Sequence, residues 1–469
     1  MKFISIHLSH LFRENWPVAS RILKGFGAQG FGKIILTMER IVEVPLLLNF
    51  WGIQIYGEWL LLSTIPSYLT VSDGGFTMTA VREMSLRSAA GDRQGVLRVF
   101  QSIQVLLGLV AFGVMSLSAV ILPLLPIEDW FSFTALDART CIYILNIFAL
   151  DVLVGFYQGL LSNAFWCDGF YSRGVFIANL NELAEYIAFA VAVISGASPL
   201  FAALVLLTFR IIGVVVLLVA LRFTIPWLIY GFEYASLAEI KSLTAPALAT
   251  LAFPLGNALN NQGLRLIVGA VLGPADVVLF TALRTLSRLT NQLTSMINQT
   301  IQPEMSAAFG RNEIPLFANI VTRASQLAFW LMALISLAQI LFGNQILWLW
   351  TKGKITMNWP LYISFNIATV INAVWYVVLM VLLSTNRHKK AALAYNLIYG
   401  VATFIMAYVA MSAFGMLGIA VVLVVSEIFM AFYVIPRALA LAHIKFDEWI
   451  KQIMLSPVFL LKRIFRAKE

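Results

Sequence analysis

Residues 200–221 read LFAALVLLTFRIIGVVVLLVAL, a run in which Arg210 is the one charged side chain. A helix needs about 20 predominantly apolar residues to cross the hydrocarbon core of a bilayer. A surface helix of a soluble protein would carry a polar face instead. This stretch therefore predicts a membrane-spanning helix. The same criterion, a window of about 20 mostly apolar residues, identifies spans in the rest of the chain.

The overall composition agrees with this reading. The chain has 469 residues, of which 60% are hydrophobic and 12% are charged, and its mean hydropathy is +0.87. Soluble domains have roughly 45–50% apolar and about 25% charged residues, because a soluble surface needs charge to stay dispersed. The composition excludes a soluble enzyme, a disordered chain and a coiled coil, and it predicts a polytopic membrane protein.

The same window finds twelve apolar segments with short connections, too short for a separate soluble domain. The predicted spans lie near 25–49, 58–80, 100–125, 141–162, 174–195, 200–221, 243–270, 277–302, 322–343, 360–384, 391–411 and 413–434. The predicted fold class is therefore all-α, with about 12 transmembrane helices.

Lysine and arginine placement predicts the orientation. With the N-terminus in the cytoplasm, 23 of the 32 basic residues fall in cytoplasmic segments and 3 in outer loops. Cytoplasmic loops carry an excess of Lys and Arg in membrane proteins. We therefore expect both termini in the cytoplasm. The net charge of +9 then reflects topology and attraction to anionic lipid, not nucleic-acid binding.

The two halves of the sequence resemble each other at an offset of about 220 residues, or six spans. Trp51-Gly52 ends span one as Leu272-Gly273 ends span seven, and a small-residue turn follows each next span. Chance similarity of small-residue loops is the alternative. A repeat with an even number of spans predicts two pseudo-symmetric bundles around a central cavity. The predicted organisation is an amphipathic N-terminal segment at 1–20, six-helix bundles at 21–222 and 243–436, a cytoplasmic linker at 223–242, and a basic interfacial tail at 437–469.

Charges inside spans are costly, at about 2.5–3.5 kcal/mol each, and mark functional sites by default. Span eight carries a polar stripe with steps of four and three residues, which places it on one helix face. The stripe comprises Arg284, Arg288, Asn291, Ser295, Asn298 and Gln302. It predicts an anion-binding cavity wall. A polar seam between helices is the alternative.

Other basic and amide side chains extend this hypothesis. Span seven carries a series at four-residue steps behind Pro254, which predicts either a moving gate or a static kink. Guanidinium groups bind phosphate oxygens bidentately. The candidate substrate-binding residues for an anionic head group are Arg40, Arg210, Arg265, Arg284, Arg288, Lys33, Asn257, Asn261 and Asn291.

Acidic side chains cluster in the first half, whereas the second half offers Glu427. Buried carboxylates can titrate or bind a cation. The candidates for proton or sodium coupling are Glu39, Glu43, Asp151, Glu182 and Glu185. The alternative is internal neutralisation, in which Arg210 pairs with Glu182 or Glu185 and Arg40 pairs with Glu43.

No motif in the sequence calls for a cofactor or a metal. Residues 25–30 spell GxGxxG, but no strand precedes them, as a nucleotide-binding fingerprint requires. Two cysteines and four scattered histidines offer neither a disulfide framework nor metal-ligand spacing. A phosphate-binding P-loop and a Ser/His/Asp arrangement are also missing. We therefore expect a transporter, with no cofactor and no ATP hydrolysis of its own.

Loose motifs over nearly the whole chain resemble polysaccharide-biosynthesis membrane proteins. They include Trp51-Gly52, Tyr56-Gly57-Glu58-Trp59, Tyr68, Asp73-Gly74-Gly75, Arg82-Glu83, Ala89-Ala90-Gly91-Asp92, Leu272-Gly273-Pro274-Ala275, Phe280, Ala282-Leu283-Arg284-Thr285-Leu286, Pro303-Glu304-Met305-Ser306, Gly343, Ile346-Leu347 and Trp350-Thr351. The chain is similar to the O-antigen and capsule flippases of the multidrug/oligosaccharidyl-lipid/polysaccharide (MOP) exporter superfamily.

The resemblance implies a flippase of the bacterial inner membrane that works by alternating access. Its implied substrate is an undecaprenyl-pyrophosphate-linked oligosaccharide, a repeat unit of O-antigen, capsule or exopolysaccharide, moved from the cytoplasmic to the periplasmic leaflet. Implied partners are this lipid-linked substrate, membrane lipids, a coupling proton or sodium ion and other polysaccharide-assembly membrane proteins. The alternatives are a cation-coupled multidrug exporter and a polyprenyl-linked glycosyltransferase or polymerase.

Overall fold

The computed structural model describes residues 2–73, 75–250, 252–288, 290–385, 387 and 389–455. Within these ranges the chain is helical almost throughout and contains no strand, so the all-α prediction is confirmed. The chain divides into two compact units, unit 1 (Met1–Leu251) and unit 2 (Ala252–Glu469).

Unit 1 contains nine α-helices among its described residues. They are α1 (Lys2–Phe50), α2 (Gly52–Ser67), α3 (Phe76–Ala89), α4 (Arg93–Ile121), α5 (Ile127–Phe131), α6 (Ala138–Ala164), α7 (Tyr171–Ile194), α8 (Pro199–Thr224) and α9 (Leu237–Thr250). Short 3₁₀ turns cover Tyr68–Asp73, Leu122–Leu124 and Phe165–Asp168.

Unit 2 adds nine α-helices over the residues described there. They are α10 (Ala252–Ala258), α11 (Leu264–Leu272), α12 (Pro274–Arg288), α13 (Asn291–Gly310), α14 (Ile314–Thr351), α15 (Trp359–Ser384), α16 (Lys389–Ala394), α17 (Thr403–Leu441) and α18 (Phe446–Met454). Two π-helical segments, Leu259–Gly263 and Tyr395–Ala402, interrupt the pattern.

Side-chain caps start several long helices, as the sequence allows. Asp92 accepts a hydrogen bond from the backbone N–H of Gly95 at 2.8 Å at the start of α4. Asp137, Ser198 and Asn358 act alike at the starts of α6, α8 and α15. Each cap satisfies one of the N–H groups that a helix start leaves without an intrahelical partner.

Each of the twelve predicted spans lies mostly on helical residues of the described part of the chain, but several are interrupted. By length and composition, seven helical runs in the described residues are able to cross a membrane: Arg93–Leu124, Ala138–Asp168, Tyr171–Ile194, Pro199–Thr224, Ile314–Thr351, Trp359–Ser384 and Lys390–Leu441. Predicted span two is wrong as a single helix, because the turn Tyr68–Asp73 divides it. Predicted span eight is likewise divided between α12 and α13.

The run Lys390–Leu441 holds predicted spans eleven and twelve. Gly415, inside α17, has φ +57° and ψ −140°, which is not helical. A Cβ at Gly418 would strike the backbone of Ala410 and Met411. Residues eight apart in a continuous helix lie about 12 Å apart, so the chain reverses direction at Gly415. The two spans form a tight antiparallel hairpin, and a residue without a side chain suits its turn.

The two units use the same helix pairings. In unit 1, α1 packs on α7, and α6 packs on α4 and α8. In unit 2, α10 packs on the π segment Tyr395–Ala402, and α15 packs on α14 and α17. Each unit has its own apolar core, around Phe100 and Phe165 in unit 1 and around Phe317 and Trp375 in unit 2. This shared pattern is what the sequence repeat predicts.

Glu58 fastens the loop before α6 to helix α2. Its side chain is completely buried. The carboxylate accepts hydrogen bonds from three consecutive backbone N–H groups, those of Thr134 at 2.8 Å, Ala135 at 2.9 Å and Leu136 at 2.9 Å. The side-chain amide of Gln54 donates a fourth at 3.1 Å. A buried carboxylate that satisfies so many donors is a structural anchor.

The segments outside the bundles differ in part from the prediction. Residues 2–20 are continuous with α1 and do not form a separate helix. The predicted linker 223–242 overlaps the last turn of α8 and the start of α9, and it packs on unit 1. In the tail, α18 packs on α14, and residues 456–469 lie outside the described residues. The remaining domain boundaries stay predictions.

Candidate functional site: two polar clusters

Unit 1 contains a carboxylate cluster, which we define as Glu39, Asp151, Glu182 and Glu185 around Arg210. The Arg210 guanidinium donates to both carboxylate oxygens of Asp151, through Nε at 3.2 Å and Nη2 at 3.4 Å. Nη2 also donates to Glu185 at 2.9 Å, and Nη1 donates to the amide oxygen of Gln158 at 3.1 Å. Arg210 is thus paired with two acids. This agrees with internal neutralisation, the alternative in which Arg210 pairs with a buried glutamate, here Glu185.

The other two acids of the cluster lie within electrostatic range. Glu182 acts on both Arg210 and Glu39, and Tyr186 donates from its hydroxyl to the backbone carbonyl of Glu39 at 3.3 Å. The cluster therefore joins α1, α6, α7 and α8. Its four carboxyl groups outnumber Arg210 and the nearby Arg40, which acts electrostatically on Glu39, so the cluster carries excess negative charge unless protons or a cation neutralise it.

The cluster is not a conventional metal site. Among the residues that the structure describes, no three His, Cys, Asp or Glu side chains are placed to hold a metal ion together. Glu43, the fifth acidic candidate, acts electrostatically on Glu39. Arg40 is exposed and also acts on Glu39.

Unit 2 contains an arginine–asparagine cluster, which we define as Asn260, Asn261, Arg284 and Arg288. Arg284 is 5% exposed. Its Nη2 donates to the Asn260 amide oxygen at 2.8 Å and the Asn260 carbonyl at 3.2 Å. Nη1 donates to the Asn261 carbonyl at 3.4 Å. The π-helical turn Leu259–Gly263 supplies these acceptors, and π turns of this kind often mark functional sites.

Dipoles, not carboxylates, surround these arginines. The Phe280 ring lies 5.3 Å below the Arg284 guanidinium, and Nη1 of Arg288 donates to the Asn261 amide oxygen. In the described part of the chain, neither Arg284 nor Arg288 has an acid within 4.0 Å. A buried charge held by neutral groups is costly, and Glu427 acts electrostatically on both arginines without lying within 4.0 Å of either.

Arg288 lines an open cavity of about 620 Å³. The cavity is polar on the α10, α12 and α13 side and aromatic on the α15 side. Its walls include Asn257, Arg288, Asn291, Thr294, Ser295, Asn372, Trp375, Tyr376, Tyr395 and Tyr399. The volume is typical of a small-molecule site, and the walls combine one cation with amide, hydroxyl and aromatic groups.

Glu427 is a buried carboxylate close to the arginine–asparagine cluster. It is 4% exposed and accepts hydrogen bonds from Trp375 Nε1 at 2.7 Å, Tyr399 Oη at 2.8 Å and Asn372 Nδ2 at 3.1 Å. A smaller cavity of about 20 Å³, room for about one water molecule, lies between it and the two arginines. Glu427 is thus a counter-charge that acts electrostatically on Arg284 and Arg288 across this small cavity.

The predicted stripe of span eight is only partly brought to the cavity. Arg288, Asn291 and Ser295 line it, whereas Asn298 is buried without a hydrogen-bond partner in the described residues and Gln302 is exposed. Arg284 and Arg288 lie on α12 whereas the other four residues lie on α13, and the arrangement of all six on one face stays a prediction.

The remaining substrate-binding candidates are Asn257, Arg265 and Lys33, and of these Asn257 lines the cavity. The side-chain amide oxygen of Asn257 accepts a hydrogen bond from the side-chain N–H of Asn261 at 2.7 Å. Arg265 is half-buried and acts electrostatically on Arg284. Lys33 is exposed on α1.

The sequence reading missed several residues of both clusters. Gln158 lies two helical turns after Asp151, a spacing that places both on one face of α6. Asn260 carried no signal, because it lies off the four-residue series that begins at Asn257. Trp375 and Tyr399 read as apolar span residues, and their polar contacts with Glu427 emerge only in three dimensions.

Comparison with known proteins gives a clear result for the fold. No family model matches this sequence, and no curated protein matches it. Among solved structures, the lipid II flippase MurJ in an inward closed conformation has a TM-score of 0.68 at 13% identity, covering 96% of this chain and 93% of its own. An inward-facing MATE multidrug resistance transporter of the MOP superfamily has a TM-score of 0.67 at 14% identity, covering 86% and 98%.

This chain has the fold of MOP transporters. An outward-facing MATE structure also matches, with a TM-score of 0.61 at 13% identity over 91% of this chain and 97% of that one. These neighbours are transporters and a flippase, not enzymes. The chain is accordingly a multi-pass integral membrane protein with a transporter fold.

Proposed function

We propose that this protein is a flippase that moves an undecaprenyl-pyrophosphate-linked oligosaccharide from the cytoplasmic to the periplasmic leaflet by alternating access. The observation that carries the proposal is the arginine–asparagine cluster, in which Arg288 lines the 620 Å³ cavity and has no acid of the described residues within 4.0 Å. The presence of MurJ, a lipid II flippase, among the structural neighbours is consistent with it.

The charge of this cavity favours an anionic ligand. Arg284 and Arg288 lie four residues apart on α12, and like charges so placed repel each other. A pyrophosphate placed at Arg288 would relieve that repulsion and gain charge-assisted hydrogen bonds. Asn291 and Ser295 on the same wall would donate further hydrogen bonds.

The opposite wall suits the carbohydrate part of such a substrate. Tyr376, Tyr395 and Tyr399 combine apolar ring faces with hydroxyl groups, and Asn372 adds an amide. Pockets of this kind hold a ligand by apolar contact and orient it through a few polar groups. The identity of the sugars is set by contacts that this wall would make.

The carboxylate cluster of unit 1 would couple transport to an ion gradient. Arg210 neutralises only part of its four carboxyl groups, and acids within membrane helices are the usual proton relays of transporters. The coupling ion would be a proton or a sodium ion, because a buried carboxylate can either titrate or bind a cation.

The experiment uses full-length protein in vesicles that contain a polyprenyl-pyrophosphate oligosaccharide with a fluorescent sugar, read out by a membrane-impermeant quencher. Loss of a charge-assisted phosphate contact predicts at least about a ten-fold slower translocation for Arg288→Gln. Arg311→Gln is the control, because Arg311 is exposed and pairs with Glu313. Unchanged translocation by folded Arg288→Gln protein would reject the anion site.

A cation-coupled multidrug exporter is the second candidate. The cage of Trp375, Tyr399 and Asn372 around Glu427 favours it, because a carboxylate among aromatic rings suits a cationic drug. The same vesicles distinguish the two functions when loaded with a cationic dye. Dye export that requires Glu427, without translocation of the lipid-linked oligosaccharide, would establish the exporter.

A further inference from the structure

The connector between α8 and α9, residues 225–236, is an exposed non-helical segment with an apolar surface. It reads IPWLIYGFEYAS, and Ile229, Tyr230, Phe232 and Tyr234 are all exposed. In water this would be an unusual concentration of apolar side chains for a loop. Aromatic residues are enriched where a membrane protein meets the lipid–water boundary.

Buried side chains of α4 satisfy the backbone of this connector. Gln101 donates to the Ile229 carbonyl at 3.1 Å and accepts from the Tyr234 N–H at 2.7 Å. Ser102 accepts from the Ser236 N–H at 2.9 Å. Gln101 and Ser102 are at most 1% exposed. Non-helical backbone can lie against lipid only when the protein satisfies its polar groups in this way.

A groove of about 590 Å³ lies between the connector and the end of α8. Its walls are apolar, with Val219 and Phe223 from α8 and Leu228, Ile229 and Tyr230 from the connector. Arg222 is the charged residue in the lining. Its Nη1 donates to the Pro226 carbonyl at 2.8 Å, which fixes the guanidinium and leaves further N–H donors for a ligand.

Charged groups of both signs surround the connector: Trp227 donates from Nε1 to the Asp168 carboxylate at 3.2 Å, and Glu233 is exposed. The Arg93 guanidinium lies 5.2 Å from the Trp227 ring of the connector, and Arg98 is exposed on the turn of α4 before Gln101. Basic groups at a membrane surface attract anionic lipid head groups. An anionic phospholipid has apolar acyl chains and a charged phosphate. The apolar walls of the groove match the acyl chains, and Arg222 matches the phosphate.

We infer that this groove binds one anionic phospholipid, with an acyl chain along its apolar walls and the phosphate on Arg222. The site belongs to unit 1 alone and is independent of the substrate proposed above. Its role would be to anchor the connector, and with it the start of α9, at the membrane surface.

Native mass spectrometry of the full-length protein, delipidated in mild detergent and titrated with phosphatidylglycerol or phosphatidylethanolamine, tests this inference. We expect one retained phosphatidylglycerol, bound about ten-fold more tightly than phosphatidylethanolamine. Arg222→Ala should abolish that preference. Val219→Trp should fill the groove and remove the bound lipid.

Two matched variants control for surface changes. Val215→Trp places the same ring one turn earlier on α8 at a position of equal exposure outside the groove, and Arg82→Ala removes an exposed arginine elsewhere. Both should bind lipid as the wild type does. Wild-type binding by Val219→Trp, or a preference that survives Arg222→Ala, would overturn the inference. Displacement of phosphatidylglycerol by a polyprenyl phosphate would also overturn it, because the occupant would then be the carrier lipid.

Discussion

Replacing Glu58 with alanine should release the loop before α6. The change removes one carboxylate that accepts hydrogen bonds from three consecutive backbone N–H groups at 2.8–2.9 Å. An unsatisfied buried donor costs about 1–3 kcal/mol. Water can reach part of this loop, because Thr134 and Ala135 are exposed. We therefore expect the free energy needed to open this loop to fall by about 2–4 kcal/mol, which is less than the full sum for three unsatisfied donors.

The assay follows the thiol of Cys141, which is 1% exposed and contacts the Leu136 carbonyl at 3.9 Å. Opening of the loop would expose this thiol to a maleimide. A loss of 2–4 kcal/mol corresponds to roughly a 30- to 900-fold larger open population, and labelling at Cys141 should accelerate accordingly. Peptide mapping separates this label from that of Cys167, the second buried thiol.

Two further variants sharpen the test. Glu58→Gln keeps the shape of the side chain but sets its amide N–H against a backbone donor, so its labelling rate should fall between those of wild type and Glu58→Ala. Asp129→Ala removes an exposed acid from the same loop region and should label as the wild type does. A Glu58→Ala protein whose Cys141 labels at the wild-type rate would refute the anchoring role.

Three more variants test packing and charge through the thermal unfolding midpoint in detergent. Arg210→Leu should lower the free energy of unfolding by about 2–4 kcal/mol, less than for a fully buried pair because the side chain is 23% exposed. Adding Glu185→Gln to this variant should restore part of the lost stability. An unchanged midpoint for Arg210→Leu would exclude a stabilising role for the pairing. Gly174→Ala should lower the free energy of unfolding by about 1–3 kcal/mol, because the added Cβ would clash with a backbone carbonyl. Gly155→Ala is the control and should not lower it, because no atom of a neighbouring helix lies within 4 Å of the added Cβ. Equal midpoints for the two variants would contradict this packing. Arg87→Ala should cost about 1–2 kcal/mol by removing contacts with two carboxylates at 2.6 and 2.8 Å; an unchanged midpoint would show that these pairs are screened.

The sequence was sufficient to predict the fold class and the long apolar helices, but not the interruptions within predicted spans two and eight. Apolar runs such as 200–221 have a direct physical cause, the hydrocarbon thickness, which sets helix length whatever the neighbouring helices do. The embedded charges were also visible, because each is rare against an apolar background. Arg284 and Arg210 were found in this way.

What these charges contact was not predictable from the sequence. Arg210 and Arg284 looked alike as isolated arginines, yet one is held by two acids and the other by amide and carbonyl dipoles. The distinction depends on which helices are neighbours, and on the π turn at Leu259–Gly263. No local pattern distinguishes a π turn from an α-helical one, so the register that brings Asn260 to Arg284 was hidden.

The reversal at Gly415 has a practical consequence for experiments on this protein. Because the turn joins two spans with almost no loop, an inserted epitope or reporter there would have to pry apart the contact between Gly418 and Ala410. The turn around Lys352 and Gly353 follows a helix that ends with left-handed backbone and offers exposed lysines. Tags and labels aimed at one face of the membrane are better placed there.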